Sequence, residues 1–347
     1  LRAALAEMPD SDLGYGDPCG LTELRSEIAA YLRRVRAVDA DARRTLITSG
    51  TVQAIDLACR ALRSRGACRV AVEDPGWAAQ AATVQRAGLE PVPVPVDDAG
   101  IDVDHLDGLD VDAALVTPAH QFPTGAVLSP PRRHRLVEWA AQRNALIVED
   151  DYDAEYRYDR NATGSLQGLA PDHVAYAGSA SKTLAPALRL GWLVLPPSLV
   201  NATTAEKRDA DRMTSPLTQL AFARFLARGD LDRHLRQTRL LYRDRRAALL
   251  EALAHHVPDA ELSGAAAGLH AVMLLHPTAD EPRIVSDARS AGIALTGLAD
   301  LHLTARPHRP GLVLGYAQLS PDRIATGIAA LAKVVANAQA APPLSHP

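Results

Sequence analysis

The chain has 347 residues, enough for two lobes, because a single core stops growing at roughly 250–300 residues. Hydrophobic residues make up 47% and charged residues 22%, an ordinary balance for a globular protein, and the net charge of -4 argues against this chain alone gripping a polyanion such as DNA. Cys19, Cys59 and Cys68 form no CxxC pair and no disulfide framework, no signal-peptide pattern opens the chain, and no apolar run reaches the ~20 residues of a membrane helix, which together predict a cytoplasmic protein without a membrane partner.

In chain order, residues 44–48, 69–73, 91–96, 113–117, 145–149, 173–177 and 190–195 read as strands, being short, apolar and mostly bounded by Gly, Pro or Asp. Helical patterns at 52–65, 77–87 and 131–143 lie between several of them. Near-continuous apolar strands alternating with helices predict an α/β lobe with a mostly parallel sheet covered on both faces, whose ligand sits beyond the carboxyl ends of the strands. The character changes near Pro196. Helices are expected at 198–214, 217–228 and 231–256, then a β-like run at 268–275, a helix at 282–291, a β-like run at 312–316 and a last helix at 321–336. This predicts a smaller α+β C-terminal lobe. The expected division is an N-terminal segment 1–37, a large domain 38–215 and a small domain 216–347. The first residue is Leu1 rather than Met, so a fragment of a longer protein is expected.

Lysine and arginine total 37, and only Lys182, Lys207 and Lys333 are lysines, so each of them raises the question of whether its position needs an amine. Lys182 lies in GSASKTLAPALRLGW, just after a strand. Lysine can lose its proton and form a Schiff base, which arginine cannot. The competing reading is a surface charge in a polar loop. Lys207 and Lys333 lie in charged or terminal helical stretches and are expected at the solvated surface.

The surroundings of Lys182 decide between these readings. Ser179, Ser181 and Arg189 flank it, and hydroxyls with a guanidinium on one loop are the parts of a phosphate cup. Ser49-Gly50-Thr51 precedes the helix that continues from Val52, and a helix N-terminus offers N–H groups to an anion, although an isolated SGT is also a plain N-cap. The acidic run from Glu149 to Asp153 follows a strand. Within it Asp150 can face a ring nitrogen and Tyr152 a ring oxygen; a divalent-metal site on Asp150, Asp151 and Asp153, or a solvated loop, are the alternatives. Trp77, at another strand-end turn, offers a flat face for stacking or is simple packing. Together these features describe one ligand that is flat, phosphorylated, carbonyl-bearing and has a ring nitrogen.

At GYGDPCGLTELR, TSGTVQAIDLA, VEDPGW, TPAHQFPTG, IVEDDYDAEYRY, GSASKTLAPALRLGW, DRHLRQTRLLYRDRR and LVLGYAQL the chain resembles the fold type I aminotransferases that use pyridoxal 5′-phosphate (PLP). More narrowly, it resembles the aminotransferase-like domain of MocR/PdxR-type regulators of the GntR family. The resemblance implies an internal aldimine on Lys182, Asp150 at the pyridine nitrogen, Tyr152 at the ring oxygen and Trp77 stacked on the ring. It implies a phosphate held by Gly50, Thr51, Val52, Ser179, Ser181 and Arg189, with Tyr15 reaching a neighbouring subunit's phosphate in a homodimer. Phe122 stands where such enzymes carry Asn, so His120 or Gln121 is the expected substitute. Val313 stands where many carry a carboxylate-binding arginine, leaving Arg306 or Arg309 as candidates. No residue is assigned to a metal.

The expected function is therefore an effector sensor that binds PLP, forms an external aldimine with an amine or amino acid, and acts on DNA through an N-terminal winged helix-turn-helix domain absent from this chain. A catalytically active aminotransferase, with Lys182 as general base, is the alternative. A metal-dependent hydrolase on Asp150, Asp151 and Asp153 is the third reading, and it leaves Lys182 and Trp77 unexplained.

Overall fold

The computed structural model describes residues 5–6, 8–9, 14–158, 164–264, 267–305 and 307–340. Arg306, an expected effector contact, lies outside them. The first lobe runs α1 (Thr22–Arg36), β1 (Thr45–Thr48), α2 (Thr51–Arg63), β2 (Arg69–Asp74), α3 (Ala78–Arg86), β3 (Glu90–Asp97), β4 (Gly100–Ile101), α4 (Val103–Asp107), β5 (Ala113–Val116), α5 (Pro130–Arg143), β6 (Leu146–Asp151), β7 (Val174–Ser179), α6 (Ala180–Thr183), β8 (Gly191–Val194) and α7 (Val200–Asp211). The chain continues through α8 (Pro216–Ala227), α9 (Asp230–His256), β9 (Glu261–Ser263), β10 (His270–Leu274), α10 (Glu281–Ser290), β11 (Thr296–Gly297), β12 (Gly311–Gly315) and α11 (Pro321–Ala340).

The large sheet has eight strands in the order β1-β8-β7-β6-β5-β2-β3-β4. The parallel core of β2, β3, β5, β6 and β7 matches the expected strands. The sheet is nonetheless mixed, since β8 runs antiparallel to both β1 and β7, and β4 runs antiparallel to β3. Strands buried on both faces leave no polar alternation to betray direction, so this orientation was not readable from the pattern. Side chains still alternate between two cores. Val70, Val72, Leu115, Val148 and Ala177 pack under α2 and α3, whereas Ala71, Ala114, Ile147 and Val174 pack against Leu136, Trp139 and Ala140 of α5.

A third cluster joins Leu24, Ile28 and Leu32 of α1 to Trp192, Phe222 and Leu231, so α1 and α8 lie together on the β1–β8 side of the sheet. The C-terminal lobe is a four-stranded antiparallel sheet, β11-β12-β10-β9, packed on α10, α11 and the end of α9. No helix among the described residues is long and apolar enough to cross a membrane.

Lys207 departs from expectation. Its side chain is fully buried in α7, where Nζ donates to Asp211, Gln53 and Thr214. A charged helical stretch concealed one inward-facing lysine. Lys333 is exposed, as expected.

Candidate functional site

The reversed β8 brings distant segments together. Thr48 and Ser179 both register opposite Gly191, so the end of β1, the end of β7 and the start of β8 share one edge of the sheet. A Cβ at Gly191 would stand 2.8 Å from the Gly50 Cα and 2.9 Å from the Thr48 Oγ1, so only glycine permits this approach. Gly50 caps α2 at a φ of 124° with no side-chain cap, and the first turn carries no acidic residue. The Arg189 guanidinium lies 3.5 Å from where a Gly50 Cβ would be, and Ser179 Oγ accepts the Ser181 N–H at 3.4 Å. Uncapped N–H groups of Thr51 and Val52 and the Arg189 guanidinium thus meet at Gly50, a combination chemically suited to an anion.

Along β6 the acidic side chains part company. Glu149 accepts the Leu166 and Gln167 N–H groups, each at 3.0 Å. Asp151 takes Arg36 Nε at 2.7 Å and the Tyr176 hydroxyl at 2.6 Å. Asp150 points with the other face. Its Oδ2 accepts Gln80 Nε2 at 2.7 Å, and its buried Oδ1 has no hydrogen-bond partner among the described residues. Burial pushes its pKa up to about 7; the Gln80 hydrogen bond opposes this and the charges of Asp151, Glu73 and Asp153 add to it. Asp153 turns to His120, with Nδ1 2.9 Å from its Oδ2. The three aspartates therefore do not converge on one ion. His120, Asp153 and His270 do place ligand-type atoms within 4.8 Å of one another, but the first two bond each other and His270 Nε2 donates to Pro123 O at 3.0 Å.

Tyr152 reaches this corner too, its hydroxyl 3.1 Å from His120 Nδ1. Gln121 does not, since its amide donates to Pro75 O and Phe122 O and lies against Glu73. Trp77 immediately precedes α3, one turn before Gln80, and is 41% exposed. Lys182 is exposed, with no hydrogen-bond or ion-pair partner among the described residues, and its charge is felt by His270, whose pKa falls to about 4 chiefly through burial. Its backbone is held firmly: the Tyr156 hydroxyl donates to Lys182 O and Thr183 O, and His234 Nε2 donates to Thr183 O at 2.9 Å.

Two expected residues stand apart. Tyr15 is 92% exposed and projects from the chain. Arg309 is tied to Glu261 and to Leu275 O at 3.1 Å, just past the end of β10 away from His270, and five residues at ~3.3 Å put Leu275 roughly 16 Å from that histidine. Sequence reasoning missed Gln80, His270 and Gly268, and weighed Asp153 only as a metal ligand rather than as the partner of His120. Gln80 and Asp153 carried a signal of position, standing one turn after Trp77 and three residues after Asp150. Gly268 gave none, being revealed only by the His120 ring packed on it.

The family described as aminotransferase class I and II matches residues 1–309. An uncharacterized HTH-type transcriptional regulator of Bacillus subtilis, YhdI, is 33% identical over 90% of this chain and 66% of its own length. The HTH-type pyridoxine biosynthesis transcriptional regulator PdxR of Corynebacterium glutamicum is 32% identical over 96% of this chain and 72% of its own. The chain thus spans about two thirds of the length of these regulators. Among solved structures, a kynurenine aminotransferase of Pyrococcus horikoshii, in complex with PMP, superposes with a TM-score of 0.87 at 27% identity, over 98% of this chain and 87% of that one.

Proposed function

The chain belongs to the class I and II aminotransferase family, and from that premise we propose that it is the PLP-binding, effector-sensing part of a MocR/PdxR-type transcriptional regulator. The cofactor of this family is pyridoxal 5′-phosphate. The observation that carries the reading is the Asp150 carboxylate, which is buried, has one oxygen without a hydrogen-bond partner among the described residues and has a pKa raised to about 7. A buried carboxylate in that condition is fitted to a protonated ring nitrogen, whose charge would bring its pKa down again. The cup formed by Gly50, Thr51, Val52, Ser179, Ser181 and Arg189 fits the phosphate, and the unpartnered Lys182 Nζ fits the aldehyde.

The chemistry PLP supplies when bound is reversible condensation of its aldehyde with amines and withdrawal of electrons into a protonated ring. The chain's residues do the rest. Lys182 Nζ would be the group that holds the cofactor covalently, and its free amine would hold or return a proton. Asp150 Oδ1 keeps the ring proton in place. Tyr152, steadied by His120, donates from its hydroxyl to the ring oxygen, and Trp77 covers one face of the ring and excludes water from it. Tyr15 completes the phosphate contacts of a second subunit in a homodimer. In the full-length regulator, an effector amine taken up beside Lys182 would bias a separate DNA-binding domain. A cytoplasmic location follows from that role.

A working aminotransferase is the second reading, favoured by the presence of both a lysine and a buried aspartate, Lys182 and Asp150. Against efficient turnover stand Phe122, which contributes no polar side chain at its position, and Val313, which sits in β12 opposite Val272. The test is to add PLP, then a panel of amino acids and keto acids. Spectral change without product is expected of the sensor, many turnovers of the enzyme, and no visible band at all would overturn both.

A further inference from the structure

We propose that Lys207 is a positioning residue for the turn that receives the cofactor's phosphate. The inference rests on the reading of that turn given above and adds to it a residue some way behind the cup. Lys207 is the only one of the three lysines that is fully buried. Its three donors are each used: Asp211 at 2.6 Å, Thr214 Oγ1 at 3.0 Å and Gln53 Oε1 at 3.2 Å. A compact tetrahedral ammonium meets three acceptors lying in different directions, which the flat fork of arginine does not. That accounts for a lysine persisting in a chain that uses arginine almost everywhere else.

The far side of this network is the phosphate turn. Gln53 stands in the first turn of α2, and the oxygen that takes Lys207 also takes the Ser49 N–H at 2.8 Å and the Ser49 hydroxyl at 3.2 Å. Gln53 Nε2 donates to Asp211 at 2.7 Å, which fixes the amide's orientation. Thr214, held by the same ammonium, reaches back to Ile47 O at 3.4 Å. The segment from Ile47 to Gln53 is therefore gripped from behind at three points. With the Ser49 N–H occupied inward, the N–H groups of Thr51 and Val52 are the ones left facing the cup. Burial lowers the lysine's pKa, and the Asp211 carboxylate counters it.

A purely structural staple between α7 and α2 would affect every ligand alike, whereas a device that shapes the phosphate turn acts on phosphate alone. The experiment compares PLP with pyridoxal, which lacks the phosphate, by titrating each into the wild type, Lys207→Met and Gln53→Leu and following the visible band. In the variants PLP affinity should fall about 10-fold or more, as for loss of a charge-assisted hydrogen bond, while pyridoxal affinity stays within about 2-fold of wild type. Gln53→Leu leaves the Lys207–Asp211 pair in place, so it carries the test if Lys207→Met does not fold. An unchanged ratio of PLP to pyridoxal affinity in a folded variant overturns the inference and leaves the cofactor reading standing. A wild type that does not prefer PLP over pyridoxal overturns the phosphate turn itself, and the inference with it.

Discussion

His120 and Asp153 are buried against each other, Nδ1 2.9 Å from Oδ2, and the hydroxyl of Tyr152 lies 3.1 Å from the same nitrogen. The His120 ring is the partner of Asp153, and the pair fixes the height and direction of the tyrosine. Gly268 makes this possible. At a φ of 74° a Cβ there would stand 2.1 Å from His120 Cε1 and 2.7 Å from Asp153 Oδ2.

His120→Ala should therefore raise the pH at which the bound cofactor's visible band titrates by about 1 unit, the equivalent of one lost hydrogen bond of ~1.4 kcal/mol to the ring oxygen. Gly268→Ala should reproduce the shift by displacing the ring. A spectrophotometric pH titration checks both, and bands that titrate as in the wild type would contradict the role given to this corner.

Lys182→Ala should abolish covalent attachment. Borohydride reduction of the PLP-loaded protein followed by peptide mass mapping should find the adduct on the peptide containing Lys182 in the wild type and nowhere in the variant. An adduct surviving on another lysine would move the site.

Asp150→Asn should alter how stability depends on pH. The folded carboxyl titrates at about 7, above its ordinary value of 3.8. Its contribution is fully present below the unfolded value and is lost as pH rises through about 7. Without cofactor, the asparagine variant should gain on the wild type between pH 5 and pH 8, by roughly 1–3 kcal/mol at the upper end. Glu73 and Glu149 also titrate near 7, but they are common to both proteins and cancel in the difference. Thermal unfolding at the two pH values gives the answer, and a gap that does not widen with pH would refute it.

Arg36→Leu should destabilise the fold by about 3–5 kcal/mol, because it leaves a buried carboxylate without its cation. Arg36 and Asp151 are both buried, and their bond ties α1 to β6 directly behind Asp150. Denaturant unfolding measures the loss; a change under ~1 kcal/mol would mean that the Tyr176 hydroxyl alone suffices for Asp151.

The strands of the large sheet were legible because five of them are unbroken apolar runs ending in polar residues, and Asp150, Trp77 and Lys182 each stand at or just past the end of one of them. What stayed hidden is whatever depends on a partner far away in the chain. The apolar positions of α1 make sense only against Trp192 and Phe222, which lie far away in the chain. Lys207 looked like a surface charge because Gln53 and Thr214 are not its sequence neighbours. Arg309 looked available because nothing in the sequence announces Glu261 opposite it.

Strand β1 closes one side of the large sheet, and its outer backbone groups would be open to another chain. At Ile47 the segment before α1 meets them: the Cys19 carbonyl takes the Ile47 N–H at 2.9 Å, and Gly20 lies directly on the Ile47 side chain. A handful of irregular residues thus does for this margin what a ninth strand would have done. Shortening the protein past Gly20 would leave an unprotected template of four buried residues, so the same segment guards against aggregation.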